Sequence, residues 1–76
     1  MGRFVFNDRA KMKKHSLTID GHRTSISLED EFWEGLNQIA LEQQQPLINI
    51  VKEIDENRVG SLSSAIRIFV FNYMRK

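Results

Sequence analysis

The chain has 76 residues, in which 11 Lys and Arg face 10 Asp and Glu, with two histidines and no cysteine. The lack of cysteine excludes a disulfide framework and a thiolate metal site. An apolar content of 41% with 28% charged residues is that of a folded globular chain and argues against disorder.

Ile68 to Phe71 is the longest apolar run, far too short to span a bilayer. The opening "MGRFVFNDRAKMKK" has no apolar core of the kind a secretory signal needs, so a cytoplasmic location is expected. A chain this small, with nothing to staple it, commonly completes its core by oligomerising. The near-neutral net charge hides a segregation. Arg3, Arg9, Lys11, Lys13 and Lys14 oppose only Asp8 in the first sixteen residues, whereas the body from Asp20 to Glu56 is acidic. A basic arm beside an acidic body suits a polyanion partner reached at one end, or a solvated terminus.

In chain order, residues 1–13 carry no sustained period and are expected to form a flexible basic arm. The domain proper is expected over 14–76. Next comes "KHSLTIDGHRTSISL", with Asp20-Gly21 at its centre, a strong signal for a two-residue type I′ hairpin turn. Taken literally, that turn sets Ile19 opposite His22, Thr18 opposite Arg23, Leu17 opposite Thr24, Ser16 opposite Ser25 and His15 opposite Ile26. One face then collects Leu17, Ile19, Thr24 and Ile26; the other collects Lys14, Ser16, Thr18, Arg23, Ser25 and Ser27.

Ser27 reads as the N-cap of a first helix over Glu29 to Gln44, whose opening acids favour the positive end of the helix dipole. Phe32, Trp33, Leu36, Ile39 and Ala40 recur at helical spacing along it. Gln43-Gln44-Gln45 before Pro46 breaks the helix, and Pro46 suits the first position of the next, which runs from about Leu47 to Arg58. Val59-Gly60-Ser61 is the second break. Ser61 or Ser63 then caps a last helix, apolar on nearly every side because Ile68 and Phe71 fall off the stripe of Leu62, Ala65, Ile66, Phe69, Val70 and Tyr73. Such a helix in so small a protein implies burial against more than one neighbour, a second indication of a dimer.

Nothing in the sequence has the form of an active site. His15 and His22 fall on the less polar face of the ribbon without a carboxylate pair beside them, so they read as ordinary strand residues rather than metal ligands. Ser61, Ser63 and Ser64 lack a nearby base and read as capping residues. Trp33 and Phe32 offer either a stacking platform or core side chains, and their spacing with Leu36 and Ile39 favours core. No cofactor is expected. The ribbon remains. A two-stranded antiparallel ribbon can enter the major groove of DNA, and Arg23, Ser25 and Ser27 supply hydrogen-bonding groups at period two on its outer face.

The order strand, helix, turn, helix, with a polar-alternating strand running straight into a helix, resembles the ribbon-helix-helix (Arc/MetJ-type) superfamily of DNA-binding proteins. The stretches "GHRTSISLEDEFWEGLNQIA", "PLINIVKEID" and "LSSAIRIFVFNYM" are similar, more narrowly, to a bacterial ribbon-helix-helix domain family of small proteins. The resemblance covers about residues 15–74. It implies a mainly α fold with a short β ribbon, a homodimer, and an additional C-terminal helix beyond the two-helix unit. By the same resemblance Arg23, Ser25 and Ser27 contact bases. Lys13, Lys14 and the backbone N–H groups of Leu47 and Ile48 contact phosphates, and Ile26, Leu28, Ile50, Ile54 and Phe69 line the dimer interface. Pro46 departs from the pattern: relatives often carry Ser or Thr there, and proline has no N–H or hydroxyl to offer a phosphate. An alternative registration makes "GSLSSAIRIF" the second helix and leaves 47–58 as an insertion. The expected function is sequence-specific binding of double-stranded DNA as a transcriptional repressor or autoregulator, with no catalysis. The alternative is an antitoxin-type interaction module whose apolar last helix holds a partner protein.

Overall fold

A computed structural model describes residues 12–75 of the chain. Two antiparallel strands, β1 (Met12–Ile19) and β2 (His22–Glu29), are followed by three helices, α1 (Asp30–Gln43), α2 (Leu47–Asn57) and α3 (Leu62–Met74). Residues 1–11 of the expected basic arm lie outside the described residues. Met12 and Lys13 begin β1, where they pair with Glu29 and Leu28.

The hairpin turn sets the register. Asp20 and Gly21 have φ of 51° and 82°, the two positive values that a type I′ turn requires. Every pair expected from that turn, from Ile19 with His22 to His15 with Ile26, is present. Alternation then sends Leu17, Ile19, Thr24, Ile26 and Leu28 to the helix side of the ribbon. Leu28 is completely buried there, a contribution of about 1.5–3 kcal/mol for a side chain of its size.

Two helix starts differ from the sequence expectation. Ser27 does not cap α1: the strand continues through Glu29, which holds the N-cap position with extended backbone and no side-chain cap bond. The inward pull of Leu28 keeps this segment in the sheet, and the Ser27 carbonyl is occupied by the hydroxyl of Ser63 at 2.9 Å. Pro46 is the N-cap of α2 rather than its first helical residue, with φ −60° and ψ 142°, and its carbonyl accepts the Asn49 N–H at 3.0 Å. α1 stops where Gln44 turns left-handed at φ 55°, and the Gln45 N–H closes the end on the Ala40 carbonyl. α3 is capped by Ser61, whose hydroxyl accepts the Ser64 N–H at 3.1 Å. Residues 47–57 form a full helix whose Ile50, Val51 and Ile54 lie in the core.

The ribbon and the three helices enclose one core: Ile26, Leu28, Leu36, Ile39, Ala40, Ile50, Val51, Ile54, Ile66 and Val70. α1 and α3 approach closely at Gly35, where a Cβ would come within 2.8 Å of the Val70 Cγ1. Ile68 and Phe71 remain on the outside of α3, each 61% exposed.

Candidate nucleic-acid interface

The face of the ribbon turned away from the helices carries Lys14, Ser16 and Thr18 on β1, opposite Ser27, Ser25 and Arg23 on β2. Lys14, Ser16, Thr18, Arg23 and Ser25 are exposed, and Ser27 is half-buried. The acids at the margins of this face are each held by a cation. Asp20 accepts from Lys52 at 3.1 Å, Glu29 accepts from the Arg67 Nε at 2.8 Å, and Asp30 lies 3.7 Å from Lys13. Among the described residues neither Lys14 nor Arg23 has an ion-pair partner, so the outer face presents two uncompensated positive charges among hydroxyls.

These pairs also fix protonation. The Arg67 hydrogen bond holds the Glu29 carboxyl below the ordinary carboxylate range, against the opposing effect of burial. The hydrogen bond and charge of Asp20 raise the Lys52 ammonium above its ordinary value. Both margins of the ribbon therefore keep their ion pairs at neutral pH.

The edge of β2 is the second feature. In a two-residue hairpin the pair flanking the turn is hydrogen-bonded, so the backbone N–H and C=O groups of Arg23, Ser25 and Ser27 point away from β1. The Ser63 hydroxyl reaches the Ser27 carbonyl on that edge. Towards the turn the edge borders an open cleft of about 460 Å³, lined on the far side by Asp55, Arg58, Ser61 and Leu62. Arg58 bonds the Asp55 carboxylate at 2.7 Å and the Gly60 carbonyl, which shapes the α2–α3 connection along this cleft.

A family model for the ribbon-helix-helix domain matches residues 12–74. The chain belongs to the ribbon-helix-helix domain family. Searches of curated proteins and of solved structures return no match. Proteins of the ribbon-helix-helix family are in general DNA-binding transcription regulators or antitoxins, and their domains are typically non-enzymatic.

Within this ribbon-helix-helix domain the expected site residues separate into groups. Arg23, Ser25, Ser27 and Lys14 share the outer face. Lys13 lies on the helix side of the ribbon, opposite Leu28 and beside Asp30, so it does not join Lys14. Leu47 and Ile48 open α2, whose first N–H groups have no intrahelical acceptor. α2 meets the hairpin further along, where Lys52 holds Asp20. The expected dimer residues Ile26, Leu28, Ile50 and Ile54 are buried within the chain's own core, which α3 completes with Ile66 and Val70; Phe69 alone of that set keeps partial exposure.

His15 stacks on the Trp33 indole, centroids 3.7 Å apart and planes within 9°. One face of Trp33 is thus occupied, and the pair closes the side of the core rather than offering a stacking platform. Among the described residues no group of three or more His, Cys, Asp or Glu is arranged to hold a metal, and no helix is long and apolar enough to cross a membrane. Sequence reasoning missed Ser63 and Arg67, which fasten α3 to β2 at Ser27 and Glu29. Their only sequence signal is polarity on an otherwise apolar helix, and the partners lie 36 and 38 residues away.

Proposed function

We propose that this ribbon-helix-helix domain is a sequence-specific double-stranded DNA-binding protein that acts as a homodimer and represses transcription, its own included, by occluding promoter DNA. The observation that carries the reading is the outer face of the ribbon: Arg23 and Lys14 stand uncompensated among Ser16, Thr18 and Ser25, while every acid at its margins is paired. In this reading Arg23 grips a guanine edge through its guanidinium fork, and Ser25 and Ser27 add permissive contacts. Lys14 and the N–H groups of Leu47 and Ile48 hold phosphates. Lys13, engaged by Asp30, adds only to the long-range field. The second copy pairs its β2 along the free edge at Arg23 and Ser25, in the cleft beside Asp55 and Leu62.

The test is a gel shift with genomic fragments, including the protein's own upstream region. Arg23→Ala should lose about 1–3 kcal/mol of operator affinity and relax the preference at one base pair of each half-site. Unchanged affinity and preference in that variant would remove Arg23 from the interface and the proposal with it.

The antitoxin-type reading has its own observation. Ile68 lines an open groove between α2 and α3 with Val59, Ala65 and Phe69, together with the polar Glu53, Asn57 and Arg58, and Phe71 is exposed on α3. A protein partner there is compatible with DNA on the ribbon. The two are separated by salt, because DNA binding falls linearly with log salt and an apolar helix contact barely responds.

A further inference from the structure

We infer that β1, the strand the hairpin adds outside the reading strand, is a phosphate clamp in which Lys14, Ser16 and Thr18 grip the DNA backbone on both sides of the groove. The inference rests on the DNA-binding homodimer proposed above and extends it from Lys14, already set against a phosphate there, to Ser16 and Thr18, which have no role so far. The width of the groove decides where β1 lies. Two copies joined edge to edge through β2 make a sheet of four strands, in the order β1, β2, β2 and β1, because β1 already occupies the other edge of each β2. Strands lie 4.7–4.9 Å apart, so the two outer strands stand about 14 Å apart, before side chains are added. The major groove is about 12 Å wide. The central pair alone fits between the walls. Each β1 therefore lies over a wall of the groove, which is a phosphate strand.

The side chains on β1 suit that position. The register sets Thr18 against Arg23, Ser16 against Ser25 and Lys14 against Ser27, so each base-facing residue is flanked on the same face by a phosphate-binding group. All three flanking residues are exposed. Hydroxyls and a lysine ammonium are groups that fix a protein on the DNA backbone without reading sequence. Charge agrees: the only acid next to β1 at the turn, Asp20, is held by Lys52, and Glu29 at the open end is held by Arg67. The acids at the two ends of the hairpin, Asp20 and Glu29, are thus each neutralised by a cation.

Two kinds of contact give two signatures. Substitutions on β1 should weaken binding to every duplex alike, whereas Arg23→Ala should change which duplex is preferred. The experiment measures affinity across a salt series for wild type, Lys14→Ala, Ser16→Asp, Thr18→Asp and Arg23→Ala. The probes are a mixed-sequence duplex and the tightest duplex recovered from a random pool. Lys14→Ala should reduce the salt slope by about 2 for the dimer, one phosphate per subunit. Ser16→Asp and Thr18→Asp should each lose about tenfold or more on both probes, with their ratio unchanged. Ser16→Ala and Thr18→Val, which keep the strand and remove only the hydroxyl, give the same direction with a smaller loss and stand in if an aspartate variant fails to fold. Wild-type affinity and slope in the β1 variants, with Arg23→Ala still relaxed, would overturn the clamp and leave the DNA-binding reading standing. A changed ratio between the probes in the β1 variants would overturn it too, by making β1 a base reader. No binding of wild type to either probe would remove both.

Discussion

At the scale of single residues, ion pairs do more here than decorate the surface. Glu29 and Arg67 join the end of β2 to α3, both about three-quarters covered, at 29% and 26% side-chain exposure for Arg67 and Glu29. The Glu29 carboxyl has its pKa depressed below 4.5 in the folded chain, first by the Arg67 hydrogen bond. A depressed carboxylate stabilises the fold above its unfolded pKa and loses that contribution as pH falls through the folded value. Glu29→Gln should therefore cost about 0.5–1 kcal/mol near neutral pH. Thermal melts of the two proteins should converge as the pH is taken below 4.5. A gap that persists undiminished in acid would show that the pair contributes nothing through charge. Lys52 and Asp20 pair likewise at the turn, on the surface.

At the scale of elements, the hairpin was legible in the sequence because its determinants are local. Asp20-Gly21 demands positive φ at both positions, and period-two alternation then fixes both faces. The helix breaks were legible for the same reason, since Pro46 and the Gly60-Ser61 cap act on their immediate neighbours. The start of α1 was not. Ser27 looks like a cap because serine before a run of acids usually is one, but its carbonyl is taken by Ser63 from a distant helix and Leu28 must reach the core. A long-range contact outweighed a local preference worth about 1 kcal/mol. Gly35 marks another contact the sequence conceals. Glycine in a helix interior ordinarily costs 0.8–1.0 kcal/mol or so relative to alanine. Here an added methyl would meet the Cγ1 of Val70, a buried β-branched side chain with one comfortable rotamer in a helix. Gly35→Ala should lower stability by about 1–2 kcal/mol in denaturant titration, the crowding outweighing the gain in propensity. A more stable variant would mean that α1 and α3 separate without cost.

At the scale of the whole molecule, the third helix changes what a single copy can bury. The residues that the family resemblance assigns to a dimer interface, Ile26, Leu28, Ile50 and Ile54, lie in one core with Ile66 and Val70 of the same chain. Sequence periodicity identified these residues as buried but could not say by which copy, because a period records that a side chain is covered and not what covers it. The faces of the ribbon were legible; the clearing of acids from its outer face was not, since each pairing joins residues separated in the chain. With the helix core closed within one copy, the proposed homodimer joins at the edge of β2 beside its cleft, next to the side chains proposed to face DNA. In that proposal dimer formation and DNA binding depend on the same strand, and DNA should strengthen the dimer by mass action.

The most direct test of this account is the stoichiometry of the protein on DNA, measured by sedimentation equilibrium with the tightest duplex recovered from a random-sequence pool. The account predicts a complex of two chains per duplex, which Arg23→Ala weakens. A complex containing a single chain, or no complex at all, would contradict it.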